Sequence, residues 1–253
     1  MNVRDTPRAV ARTVEWEFAQ STYAAVLAET PPALFPYWAE TAHREFPGIP
    51  RDASFYAQSA EGLMIFFDCV AAAGRPCALP SRAADSVWHA WARMDASSLD
   101  RFCTRHFGKT IPHLEKARMQ GAMGGALATC LVQARRRASK PPAGPDLPRL
   151  FTLDLQLGMP SGFGYRVIGG RVACSPLDQL GRPAGRPSFP RALMPTALLQ
   201  AGLISQAEYA QAREARDASG DAGGAAAGCD GDAGCGDGGS GCSGGCGGGC
   251  GGG

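Results

Sequence analysis

The chain has 253 residues, 45% of them hydrophobic, a formal net charge of +2 and no apolar run long enough to span a bilayer. These values allow one good core with small appendages, and they argue against a membrane protein or a strongly polyanion-seeking chain. The charge is unevenly spread: residues 217–253 hold five aspartates and no Lys or Arg, which leaves the remainder at +7.

In chain order, helical periodicity opens near Ala9, with Trp16, Tyr23 and Leu27 expected near one side, and Pro31 and Pro32 stop it. A second helix is expected from Leu34 to before Pro47, and a third from Ala53 to Ala73 with Phe55, Leu63, Phe66, Phe67 and Val70 as its apolar content. Ser81 reads as the N-cap of a helix ending at Met94. Ser97, with Asp100 three residues on, reads as the cap of a successor that ends near Phe107 at Gly108. A longer helix is expected over 114–137, weakened by Gly121, Gly124 and Gly125 and closed by the basic run Arg135, Arg136 and Arg137. The alternation FTLDLQL over 151–157 predicts a strand, and YRVIGGRVAC predicts a hairpin. Pro, Gly and Arg crowd 175–195, which reads as a linker. Two short helices follow, the second opened by the capping box Ser205/Glu208.

The fold class expected is therefore mainly α: an orthogonal multi-helix domain (8–140), a small strand and hairpin extension (141–174), a linker (175–195), a short C-terminal helical hairpin (196–216) and a disordered Gly/Cys tail (217–253). The tail has 18 glycines in 37 residues and buries too little apolar surface to offset chain ordering. No N-terminal signal is read, so a cytoplasmic location is expected, with the cysteines as thiols rather than structural disulfides. No nucleic-acid motif is found.

Chemistry concentrates in PSRAADSVWHAWARMDASSLDRFCTRHFGKTIPH, Pro80 to His113, which holds three of the four histidines. Asp85 and His89 lie at i and i+4 on one helix and share a face, with Trp88 beside it. Cys103 and His106 are one turn apart on the next helix, and Gly108 and Pro112 turn the chain before His113. Asp85, His89, Cys103 and His113 thus form a candidate set of N, O and S ligands for zinc, or for non-haem iron through the nitrogens and carboxylate. The same Asp85–His89 pair would serve as a structural hydrogen-bond network, the simplest reading of the spacing, or as a catalytic group without metal. Cys103 with His106 as nucleophile and base lacks an orienting partner. His43 reads as a surface residue. In the tail, Cys242, Cys246 and Cys250 repeat at an interval of four and form a weaker, separate set for a soft metal.

Pro80, Ser81, Asp85, Val87, Trp88, His89, Phe102, Cys103, Phe107, Gly108 and His113 fit a pattern that resembles the uncharacterised glycine-rich-domain-containing family of bacteria and plants. The likeness extends over about 55–154, takes in LPRLFTLD and the Gly/Cys-rich end, and implies a bacterial helical protein with no named reaction. Ala84 and Leu99 depart from that pattern outside the Asp/His/Cys/His set. Leu198 to Ala215 is similar to a short bacterial C-terminal two-helix domain, which implies assembly of a homo-oligomer. The reading is a noncatalytic assembly or structural module with a metal site, or alternatively a metal-dependent zinc or non-haem iron enzyme using Asp85, His89 and His113. Its substrate, protein partner and catalytic residues are unknown.

Overall fold

The computed structural model describes residues 7–113 and 123–218, and it is mostly helical with one small antiparallel hairpin. The Gly/Cys tail, with Cys242, Cys246 and Cys250, and the expected start of the helix at 114–122 lie outside the described residues. The elements are α1 (Pro7–Ala19), α2 (Ala24–Leu27), α3 (Leu34–Thr41), α4 (Ala53–Ala72), α5 (Arg82–Phe107), α6 (Met123–Arg137), α7 (Arg149–Leu157), β1 (Phe163–Ile168), β2 (Arg171–Pro176), α8 (Pro195–Gln200) and α9 (Gln206–Ala218).

Helix α4 is central because it is apolar nearly all round: Phe55, Tyr56, Leu63, Met64, Phe66 and Phe67 are all buried. Asp52 caps it by accepting from the Phe55 amide at 2.9 Å. On α5, Val87 and Trp91 face the same core and Trp88 packs on Phe66 and Phe67. Gly62 stands where α4, α5 and α7 meet; a Cβ there would overlap Leu153 and touch Ala84. Trp38 of α3 is fully buried and its indole N–H donates to Ser86 on α5 at 2.9 Å.

Helix α5 is two helices joined at a kink. Its N-cap is Ser81, which accepts from the Ala84 amide, and its C-terminal residue Gly108 takes the left-handed conformation at φ 76°. The break falls at Asp95, whose backbone is extended and whose carboxylate accepts from the Ser98 amide at 2.9 Å. Asp95, not Ser97, therefore caps the second half.

Three other expectations are corrected. Residues 151–157 form helix α7, not a strand. Pro148 precedes the helix and Gly158, at φ 62°, closes it, and those two signals outweigh a short alternation. Trp16 is 62% exposed, and α1 instead buries Val14 and Phe18; the helix ends at Ala19, so Trp16 shares no axis with Tyr23 and Leu27. Cys69, Cys77, Cys103 and Cys130 are free and buried, but Cys174 is disulfide-bonded.

The expected hairpin forms over 163–176, with Val167 opposite Val172 and Gly169 and Gly170 at the turn. The Pro-rich segment after it is tied down: Ser188 exchanges backbone hydrogen bonds with Cys174, and Leu177 bridges Pro183. Tyr165, Val172, Leu193, Leu198 and Ile204 join the same buried cluster as α4 and α5. The capping box of α9 is reciprocal, with Glu208 Oε2 accepting from the Ser205 amide at 2.7 Å and Ser205 Oγ from the Glu208 amide at 3.2 Å. Gly124 on α6 lets the 3₁₀ turn Arg191–Leu193 come close, since a Cβ there would meet Ala192 at 3.2 Å.

Candidate metal centre

The N-terminal half of α5 carries Asp85, Trp88 and His89, and its position is set by a carboxylate from another element. Asp154 of α7 is buried and accepts four hydrogen bonds. The Ser81 hydroxyl donates at 2.7 Å, and the amides of Arg82, Ala83 and Phe163 at 2.9, 3.0 and 2.9 Å. Two of those donors are first-turn amides of α5, groups left without partners inside any helix, where a negative charge is also favoured by the helix dipole. Burial pushes the Asp154 carboxyl above its usual range, while the four donors favour the charged form. The site begins one turn further along the same helix.

Asp85 and His89 share one face, as their spacing of four dictates. The turn after Gly108 brings His113 back onto them. His113 Nε2 lies 3.0 Å from Asp85 Oδ1 and 3.1 Å from His89 Nε2, and His89 Nε2 lies 3.6 Å from Asp85 Oδ1. Ile111, buried, anchors the returning segment, and its backbone hydrogen-bonds the Cys103 sulfur. Trp88 stands edge-on to the His113 ring at 4.5 Å between centroids, and Phe46 edge-on to His89 at 5.7 Å. Each imidazole of the set thus rests against one aromatic ring.

The other nitrogen of His89 has its own partner. His89 Nδ1 lies 2.7 Å from Glu45 Oε2, and Arg93, one turn further along α5, holds the same carboxylate in an ion pair. A carboxylate there accepts a hydrogen bond from Nδ1–H, which favours the tautomer with the Nε2 lone pair turned toward His113 and Asp85. Glu45 follows the 3₁₀ turn Ala42–Arg44, and the Phe46 amide bonds back to Ala42 at 2.9 Å. Sequence reading did not include Glu45, because 44 residues separate it from His89 and no local spacing links them.

Asp85, His89 and His113 each offer one ligand atom, and the three atoms lie within 4.8 Å of one another, a group that could hold a metal ion. Cys103 is not in that group. It is fully buried, and burial pushes its thiol up to about 12, so at neutral pH it stays protonated. His106 points elsewhere as well: its ring packs on Phe102 at 4.6 Å, and Nε2 lies 3.3 Å from Glu29, too poorly aligned to hydrogen-bond. His43 is exposed.

No curated protein and no solved structure matches the chain. A family model described as UCP032817-like, an uncharacterised family, matches residues 45–174, more than half of the chain. That span runs from Glu45 through Asp85, His89 and His113 to Cys174 within β2, and the chain belongs to the UCP032817-like family.

Proposed function

We propose that this protein binds one divalent metal ion, zinc or ferrous iron, through Asp85 Oδ1, His89 Nε2 and His113 Nε2. The observation that carries the reading is the triangle those atoms make, with edges of 3.0, 3.1 and 3.6 Å. Ligand atoms on one face of a tetrahedron around zinc are about 3.3 Å apart, and on one face of an octahedron about 3.0 Å. A triangle with the observed edges has a circumradius of about 1.9 Å, so an ion about 2.05 Å from all three atoms stands roughly 0.8 Å above their plane. A structural hydrogen-bond network explains the set less well. With Nδ1 of His89 committed to Glu45, the His113 Nε2–H can serve only one of its two close acceptors, and three electron-rich atoms converge on one proton.

Two imidazoles and one carboxylate are a shared donor set of catalytic zinc and of non-haem iron sites. Among the described residues no fourth side chain completes the group, and the side chains of Asp85, His89 and His113 are 28%, 30% and 30% exposed. Those two facts support a metal-dependent enzyme over a closed structural site, because positions remain for water or substrate.

Kinship with glycine-rich-domain-containing bacterial proteins belongs to the same proposal, supported by the Pro80–His113 pattern and the composition of 217–253. Assembly through Leu198–Ala215 would use the outer face of α9, because Leu198 and Ile204 are committed to the core. The large exposed apolar residues among those described (Trp16, Val167, Ile168 and Leu180) lie outside that segment.

The test is metal content of the full chain, purified without a histidine tag, as it stands and with Ser in place of Cys174 and the five tail cysteines. One ion per chain, lost in His89→Ala, is expected. Metal-free protein after both aerobic and anaerobic purification, combined with no uptake of added Zn(II) or Fe(II), would reject the reading.

A further inference from the structure

The three edges of the ligand triangle are unequal, and the inequality bears on how many positions around an ion stay open. His113 Nε2 stands 3.0 Å from Asp85 Oδ1 and 3.1 Å from His89 Nε2, whereas Asp85 Oδ1 and His89 Nε2 are 3.6 Å apart. Around an ion roughly 2.1 Å from each atom, these edges subtend about 91°, 95° and 118°. Three corners of a tetrahedron, or one face of an octahedron, would make all three edges equal. A trigonal bipyramid differs: two equatorial ligands subtend about 120° and an axial ligand about 90° with each, which gives one edge of about 3.6 Å and two of about 3.0 Å. The observed edges follow that pattern with His113 axial and Asp85 and His89 equatorial. The chain accounts for the division. Asp85 and His89 are held one helical turn apart on α5, while His113 comes from the returning segment and approaches both at once.

We propose that the filled centre is five-coordinate, and that its two open positions, one axial and one equatorial, take a single small ligand through two oxygens on adjacent carbons, as in a 2-hydroxy or 2-oxo carboxylate. This rests on the metal reading above. No further His, Cys, Asp or Glu among the described residues enters the group, and both contacts of His113 are solvent-exposed, so the open positions are available to a ligand from solution. Those positions stand about a right angle apart in a trigonal bipyramid. A five-membered chelate ring closes near that angle. A carboxylate using both of its own oxygens closes a four-membered ring at a much smaller one. Once the first oxygen is bound, the second bond forms within one complex, which favours the chelating ligand over two separate ones.

The experiment uses the full chain with Ser at Cys174 and the five tail cysteines, loaded with Co(II) as a visible reporter of coordination number. Glycolate and acetate are titrated separately. They carry the same charge, and only glycolate can close a five-membered ring. The visible bands before titration should be weaker than those of four-coordinate Co(II) and stronger than those of six-coordinate Co(II). Glycolate should change them saturably, with an affinity at least about tenfold above that of acetate. Four-coordinate or six-coordinate bands, or equal affinities for glycolate and acetate, would overturn this inference alone, provided that His89→Ala still abolishes Co(II) binding. Failure to bind Co(II), or unchanged Co(II) binding in His89→Ala, would overturn the metal reading and this one with it.

Discussion

At the scale of single residues, three side chains near the centre do different work, and mutation separates them. Glu45 meets the far nitrogen of His89 and pairs with Arg93 without facing the three ligand atoms' shared side, so Glu45→Gln should keep the fold and weaken metal binding about 10- to 100-fold, read by competition with a chromogenic chelator. Unchanged affinity would show that the Glu45 contact does not tune the ligand. Cys103 is fully buried, lies outside the three-ligand group and is a protonated thiol. Cys103→Ser should therefore shift metal affinity far less than His113→Ala does, and Co(II)-loaded protein with Ser at the tail cysteines should show no sulfur charge-transfer band. Asp85 and His89 were legible in the sequence because a helix turns a spacing of four into a shared face. His113 was legible because Gly108 forces a turn. Glu45 was not, since the helix α4 and its loops lie between it and α5 in sequence, and only tertiary packing closes that distance.

At the scale of elements, the carboxylate of Asp154 joins α7, β1 and the start of α5. Removing it strands one hydroxyl and three amides, so Asp154→Ala should cost at least about 3 kcal/mol in urea unfolding. Gly162 probes the same junction from the other side: an added Cβ would come within 2.8 Å of Asp154 Oδ2, and Gly162→Ala should cost about 1–3 kcal/mol. A loss below about 0.5 kcal/mol in both variants would mean that the junction does not hold α5 in place. This element also shows why sequence reading fell short. FTLDLQL alternates as a strand does, yet Leu150, Phe151, Leu153 and Asp154 are all buried on one side of a helix. Seven residues are too few for periodicity to decide, and Pro148 with Gly158 carried the better signal. The capping motifs at Ser81, Gly108 and Ser205 were readable because a cap depends only on its own four or five residues. The break at Asp95 was readable to within two residues for the same reason.

At the scale of the whole molecule, the hairpin, the segment after it and the C-terminal helices feed the same buried cluster as α4 and α5. Composition suggested a linker over 175–195, because Pro and Gly mark irregular backbone; they do not say whether that backbone is pinned. Here backbone hydrogen bonds from Cys174, Pro176 and Asp178 hold it against the hairpin. The Asp85/His89/His113 group, a proposed metal site, joins α5 to the returning segment at His113 and, through Glu45, to the turn after α3. Ligand binding to the folded state should therefore stabilise the molecule. Zinc at about a thousandfold above its Kd contributes about 4 kcal/mol, a rise in Tm of roughly 10 °C for a domain of this size. The rise should vanish in His89→Ala. An equal rise in that variant would place the stabilising ion elsewhere.

The most direct measurement is X-ray absorption at the zinc edge on stoichiometrically loaded protein with Ser at Cys174 and the five tail cysteines. The account predicts one ion per chain, a first shell of nitrogen and oxygen at about 2.0–2.1 Å, multiple scattering from two imidazoles, and no sulfur at about 2.3 Å. A shell containing sulfur, or one with fewer than two imidazoles, would contradict it.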